Sequence, residues 1–132
     1  MAGTLIIDTL KSGTSTPSVF QNSSGTEIGQ LCRAWVNFNG TNGSIYASFN
    51  VSSVTRVTTG QYTVNITNAL ANANYATVAT NSANVNANVF TYTNTQSRPS
   101  STQNTTTAIY VLTKGTNDSN YDANFTSVAA YA

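Results

Sequence analysis

Histidine is absent from this chain of 132 residues, cysteine occurs once, at Cys32, and the only acids are Asp8, Glu27, Asp118 and Asp122. Each shortage excludes a class of chemistry. Without His there is no imidazole general base, no Ser-His-Asp or Cys-His pair, and no ordinary zinc site. A single Cys forms no intrachain disulfide and no redox motif. Charged residues make up 7% of the chain and the net charge is +1, against roughly a quarter charged in an average soluble domain. That balance leaves no basic footprint for nucleic acid. The apolar runs are too short to insert in a membrane. Residues 1–10 lack both a basic n-region and a long apolar h-region, so the expectation is synthesis in a cytoplasm without a signal peptide.

Uncharged polar residues take the place of charge, with Asn, Ser and Thr filling about two-fifths of the sequence, well above average usage. The dominant pattern has period two. Ala34, Val36 and Phe38 alternate with Trp35 and Asn37, and Ile45, Ala47, Phe49 and Val51 continue the pattern after a gap. Tyr62, Val64 and Ile66 alternate with Thr63, Asn65 and Thr67, and Val85, Ala87 and Val89 with Asn84, Asn86 and Asn88. Further strands are expected over 75–80, 107–113 and 125–131. Strand formers are plentiful and no 3.6-residue period is sustained, which predicts an all-β chain of about seven short strands. Asn39-Gly40 and Asn42-Gly43 both suit a hairpin apex, and the pattern does not choose between them. An antiparallel β-sandwich or jelly-roll-like domain fits the spacing.

The first thirty residues differ from the rest. Residues 4–10 suit one strand with Leu5 and Ile7 on one side and Ile6 and Leu10 on the other. Apolar residues on both faces predict docking, either on a partner or within the chain's own core. Residues 11–29 read as a Ser/Thr/Gly-rich connector. The expected organisation is an extended N-terminal attachment arm over 1–29 and a β-sandwich body over 30–132, with Leu5, Ile6, Ile7 and Leu10 as attachment residues. Residues 94–104 read as a long polar loop.

The run Arg33-Ala34-Trp35-Val36-Asn37-Phe38-Asn39-Gly40 carries a resemblance, continued by Ala47-Ser48-Phe49-Asn50-Val51-Ser52-Ser53-Val54, Gly60-Gln61-Tyr62-Thr63-Val64-Asn65-Ile66 and Ala73-Asn74-Tyr75-Ala76. Together with Thr4-Leu5-Ile6-Ile7-Asp8-Thr9-Leu10, it resembles small virion structural proteins and tail-fibre domains of marine tailed bacteriophages, cyanophages among them. The resemblance spans about residues 4–10 and 30–80. It implies a place on the surface of a phage particle, and leaves capsid against tail open.

The constellations that carry chemistry are weak. Asp118-Ser119-Asn120-Tyr121-Asp122 has oxygen ligands at the first, third and fifth positions of a calcium loop. Ala123 stands where that loop needs Gly, and Ala129 where it needs a bidentate Glu. A polar turn is the better reading. Asp118 with Asp122, or either with Glu27, could form a glycosidase pair, but the lone Trp sits in a strand core pattern. Seven tyrosines beside abundant Asn and Thr suit glycan binding, although most fall at strand positions where a ring packs inward. Arg98, in the polar loop, and Tyr121 are the candidate receptor-contact residues. Arg33 and Arg56 suit a subunit contact or a solvated strand edge. Cys32 is read as a small buried hydrophobe where arm meets body. Catalytic residues, cofactors and metals are expected to be absent.

The sequence therefore predicts a non-enzymatic virion structural protein, made in the host bacterial cytoplasm and displayed on the particle surface. A capsid knob or decoration role is preferred to a tail-fibre tip or adaptor that binds host-surface glycans. A free carbohydrate-binding module is the further alternative. The expected partners are other capsid or tail proteins. Sheets this poor in charge expose edges that need covering, which predicts a homo-oligomer, with a trimer favoured.

Overall fold

In the computed structural model, the described residues are 9, 19–82, 92–94, 103–115 and 118–132, with the backbone alone for 92–94. They contain ten strands: β1 (Phe20–Gln21), β2 (Glu27–Gly29), β3 (Cys32–Phe38), β4 (Ile45–Phe49), β5 (Val51–Thr58), β6 (Gln61–Ile66), β7 (Ala76–Asn81), β8 (Tyr92–Asn94), β9 (Ala108–Lys114) and β10 (Thr126–Tyr131). The described residues are all-β with antiparallel pairing throughout.

The chain divides into two units, Met1–Leu31 and Cys32–Ala132. In the first, β1 and β2 form a small hairpin. Its turn is built by Asn22, whose Oδ1 accepts from the backbone N–H of Ser24 and Thr26 at 3.0 and 2.9 Å. Gly25 supplies a positive φ of 79°. Within the Ser/Thr/Gly-rich connector expected over 11–29, residues 20–29 thus hold a hairpin that the sequence did not reveal, because strands of two and three residues are too short to show alternation. Leu5, Ile6, Ile7 and Leu10 lie outside the described residues.

The second unit is a sandwich of two four-stranded sheets, ordered β4-β3-β10-β7 and β5-β6-β9-β8. The alternating residues explain it. From the first sheet Ala34, Val36, Phe38, Val128 and Ala130 point inward, and from the second Tyr62, Val64, Ile66, Ile109 and Val111 meet them. The Phe38 and Tyr62 rings cross edge to face, centroids 5.0 Å apart, an arrangement worth about 0.5–1.5 kcal/mol beyond burial. Leu70 and Tyr75, from the β6–β7 connection, join the same core.

Two departures from the sequence reading matter. Residues 45–51 do not form one strand: the chain breaks at Asn50, with φ 54°, and passes from the first sheet into β5 of the second. β5 itself was missed, because as an edge strand with two register shifts it shows no clean alternation. In the β3–β4 turn both glycines are needed, for different reasons. Gly43 takes the positive φ of 77°. A Cβ on Gly40 would lie 2.5 Å from the Ala123 carbonyl oxygen and 2.6 Å from the Tyr62 hydroxyl.

Candidate functional site

Among the described residues, most of the charge in the sandwich gathers at one end, around residues 113–123, where the chain crosses from β9 in one sheet to β10 in the other. Asp122 sits at the centre. Its Oδ2 accepts from Arg56 Nε and Nη2 at 3.0 and 2.6 Å. Its Oδ1 accepts from the Gly60 N–H at 2.8 Å and the Tyr62 hydroxyl at 2.7 Å. Burial pushes the Asp122 carboxyl up, but the donors from Arg56, Gly60 and Tyr62 outweigh it and hold the group below the usual carboxylate range. The Tyr62 hydroxyl is driven far above its ordinary value, first by burial and then by its hydrogen bond to Asp122. Arg56, which also donates to Thr59 Oγ1 at 3.0 Å, is an exposed residue of the edge strand β5 whose guanidinium is engaged within the chain.

The same segment is tied on both sides. The Tyr121 N–H donates to the Thr113 carbonyl at 3.1 Å, and the buried Thr113 hydroxyl donates back to the Tyr121 carbonyl. The Gly40 N–H donates to the Ala123 carbonyl at 2.8 Å. Asp122 thus fastens the β9–β10 connection to the β5–β6 turn while Ala123 fastens it to the β3–β4 turn. This arrangement is chemically saturated. Both Asp122 oxygens are engaged, and Asp118 faces a different cation, Lys114, at 2.7 Å. Asp118 also occupies a turn with φ 61°. Among the described residues no three His, Cys, Asp or Glu side chains are grouped to hold a metal ion.

Tyr121, a candidate receptor contact, is half-buried and anchored through its backbone. Arg98 and the Asn84, Asn86 and Asn88 ladder lie outside the described residues. Cys32 opens β3 and is half-buried, its Sγ 3.4 Å from the Ala34 carbonyl. Arg33 follows it on the same strand, also half-buried. The tyrosines do not all pack inward: Tyr62 and Tyr75 are core residues, whereas Tyr46 and Tyr131 are exposed.

The outer face of the first sheet is the other feature that can meet a partner. Its register places Phe49, Trp35, Ala129 and Val78 in one row across β4, β3, β10 and β7. The adjacent row is Ala47, Asn37, Ser127 and Thr80. Phe49, Trp35 and Val78 are 55%, 39% and 58% exposed, so Trp35 belongs to the surface and not to the core. Neither row contains a charged side chain. The alternation of residues 34–38 carried this signal, because Trp35 and Asn37 oppose the buried set. No protein-family model, curated protein or solved structure matches the chain.

Proposed function

We propose that the protein is a non-enzymatic virion structural protein, displayed on the surface of a bacteriophage particle as a capsid knob or decoration. The observation that carries this reading is the division of labour in the sandwich. Ion pairs and carboxylate hydrogen bonds fasten its connections, while two adjacent rows on the outer face of the first sheet present amide, hydroxyl, aromatic and apolar groups without charge. Reactive chemistry needs perturbed groups open to a substrate, and the perturbed groups at this end are spent on one another. A charge-free face suits contact with other proteins or with sugars. The resemblance of residues 4–10 and 30–80 to phage virion proteins supplies the location, and the apolar pattern of Leu5, Ile6, Ile7 and Leu10 supplies a means of attachment to capsid or tail partners.

A homo-oligomer, most simply a trimer, accompanies this proposal, because uncharged edges such as β4 are protected by burial. Cryo-electron microscopy of intact particles tests the location: density for the sandwich on the capsid is expected, and its absence from the particle defeats the reading. The exposure of Trp35 favours one second reading, a tail-fibre tip or adaptor that binds host-surface glycans. Density at the tail selects it.

A further inference from the structure

The two outer rows of the first sheet do more than expose apolar surface. The central strand β10 contributes only Ala129 and Ser127 to them, while β3 contributes Trp35 and Asn37 and β7 contributes Val78 and Thr80. Small residues between larger ones make a trough. It is an open depression of about 330 Å³ lined by these six residues together with Val36, Ala79 and Val128 of the same strands. Its walls stand two strand spacings apart, about 10 Å, and it runs along the strands.

The lining selects the chemistry of an occupant. No charged side chain lines the trough, so nothing there pays the desolvation cost of an ionic ligand. One wall carries an indole, whose face suits the axial C–H groups of a sugar ring. Beside it, Asn37 Oδ1 is buried from solvent without a hydrogen-bond partner, an unmet acceptor in a position where most polar atoms are satisfied. Rotation of that amide, with the Ser127 and Thr80 hydroxyls, offers donors and acceptors along the floor and far wall. A sugar, with an apolar face and a hydroxyl rim, matches an indole set beside an amide and two hydroxyls.

We infer that the trough binds a neutral carbohydrate chain lying along β10, with one ring stacked on Trp35 and its hydroxyls met by Asn37, Ser127 and Thr80. This deepens the second reading above, on which it rests for its biological setting, by naming the site and the ligand class.

Trp35 is the only tryptophan in the chain, so its emission reports on the trough directly. The experiment titrates the purified protein with neutral hexasaccharides of glucose, mannose, galactose and xylose, and with a sulfated heparin hexasaccharide. The expected result is a saturable change in emission with at least one neutral sugar and none with the sulfated one. Isothermal titration calorimetry then measures the variants. Trp35→Ala should weaken binding by about tenfold, the scale of one lost aromatic stack. Ala129→Phe, whose side chain points to solvent, fills the floor and should abolish binding with the fold intact by circular dichroism. Val57→Ala, on the other sheet, should change nothing.

A response to the sulfated sugar alone overturns the inference, as does no response to any neutral sugar. A concentration-dependent change in emission without sugar, matched by dimers in light scattering that Ala129→Phe dissolves, assigns the trough to a second copy and overturns it too. The display reading fails separately: a protein missing from particles that still binds sugar through Trp35 keeps this inference, and one found on particles without a sugar response loses it.

Discussion

The two ends of the sandwich solve one problem with different chemistry. At each, the chain leaves one sheet for the other, and a single side chain binds the crossing to its neighbours. At the β9–β10 end that side chain is the Asp122 carboxylate, holding Arg56, Gly60 and Tyr62. At the β4–β5 end it is the Asn50 carboxamide. Its Nδ2 donates to the carbonyls of Arg33 and Asn68, both at 3.0 Å, and its Oδ1 accepts from the Asn68 N–H at 2.7 Å. The Asn50 carbonyl also accepts from Thr67 at 3.1 Å. An amide can both donate and accept, so it suits a corner that presents both backbone groups. A carboxylate only accepts, and the other end presents only donors. Asn is also among the residues that best tolerate the positive φ that this corner requires.

Truncation should separate the two ends most strongly. Asp122→Ala strands the Gly60 N–H and the Tyr62 hydroxyl and should cost about 2–4 kcal/mol. Asn50→Ala loses three neutral hydrogen bonds and puts Ala in a left-handed conformation, at a cost of about 1–3 kcal/mol. Urea unfolding of both variants checks the order. Equal losses would show that charge adds nothing at the Asp122 end. The reciprocal exchanges sharpen the point: Asp122→Asn and Asn50→Asp should both destabilise, although each preserves shape, because each presents a group of the wrong polarity.

Acid should distinguish the ends next. The folded Asp122 carboxyl lies below its unfolded value, so its stabilisation is complete above the unfolded pKa, near 4. It is lost as pH falls through the lower folded value. Thermal melts between pH 5 and 2 should show a drop that Asp122→Asn largely removes and Asn50→Ala leaves in place. Added salt should weaken the native protein through the partly exposed Arg56 pair, and the Asp122→Asn variant less.

Much of the sandwich was legible in the alternation of β3, β6 and β10, because each has one buried face and one outward face. The edges were not. β5 packs little of its surface, and β1 and β2, of two and three residues, are too short to repeat a pattern. The trough was half legible: Trp35 and Asn37 oppose the core set in the sequence, but that Ala129 and Ser127 lie between them and Val78 and Thr80 depends on register. Neither clamp could be read. Asp122 looked like part of a polar turn because its partners are Arg56, Gly60 and Tyr62, about sixty positions earlier. Asn50 sat inside what looked like a continuous strand.

Alkali should act on both ends alike, with a smaller effect. Burial raises the Tyr75 hydroxyl to about 12, where it donates to the Thr105 and Ala108 carbonyls at 2.9 and 3.2 Å. Tyr62 is raised further at the opposite end. Raised acids stabilise below their unfolded pKa, near 10, and that contribution fades as pH rises toward the folded values. Tyr62→Phe should cost about 1.5–3 kcal/mol, because its partner is charged, and Tyr75→Phe about 1 kcal/mol. Melts from pH 9 to 12 on the single and double variants measure both. The smallest effect has the opposite sign. Thr126 is fully buried and its hydroxyl has no partner, so Thr126→Val should stabilise by about 1 kcal/mol or be neutral.

The position of β10 imposes an order of events during synthesis. It is the middle strand between β3 and β7, pairing Thr126 with Phe38 on one side and with Asn81 on the other. Of all the described strands it leaves the ribosome last. Until then the β3–β4 hairpin shows an open edge and an uncovered apolar face to its surroundings. Pairing across so long a stretch of chain makes folding slow compared with a helical bundle of similar size. The nascent protein must therefore wait for residues 126–131, and a ribosome stalled before them releases a half-built sheet with a vacant slot for a foreign strand.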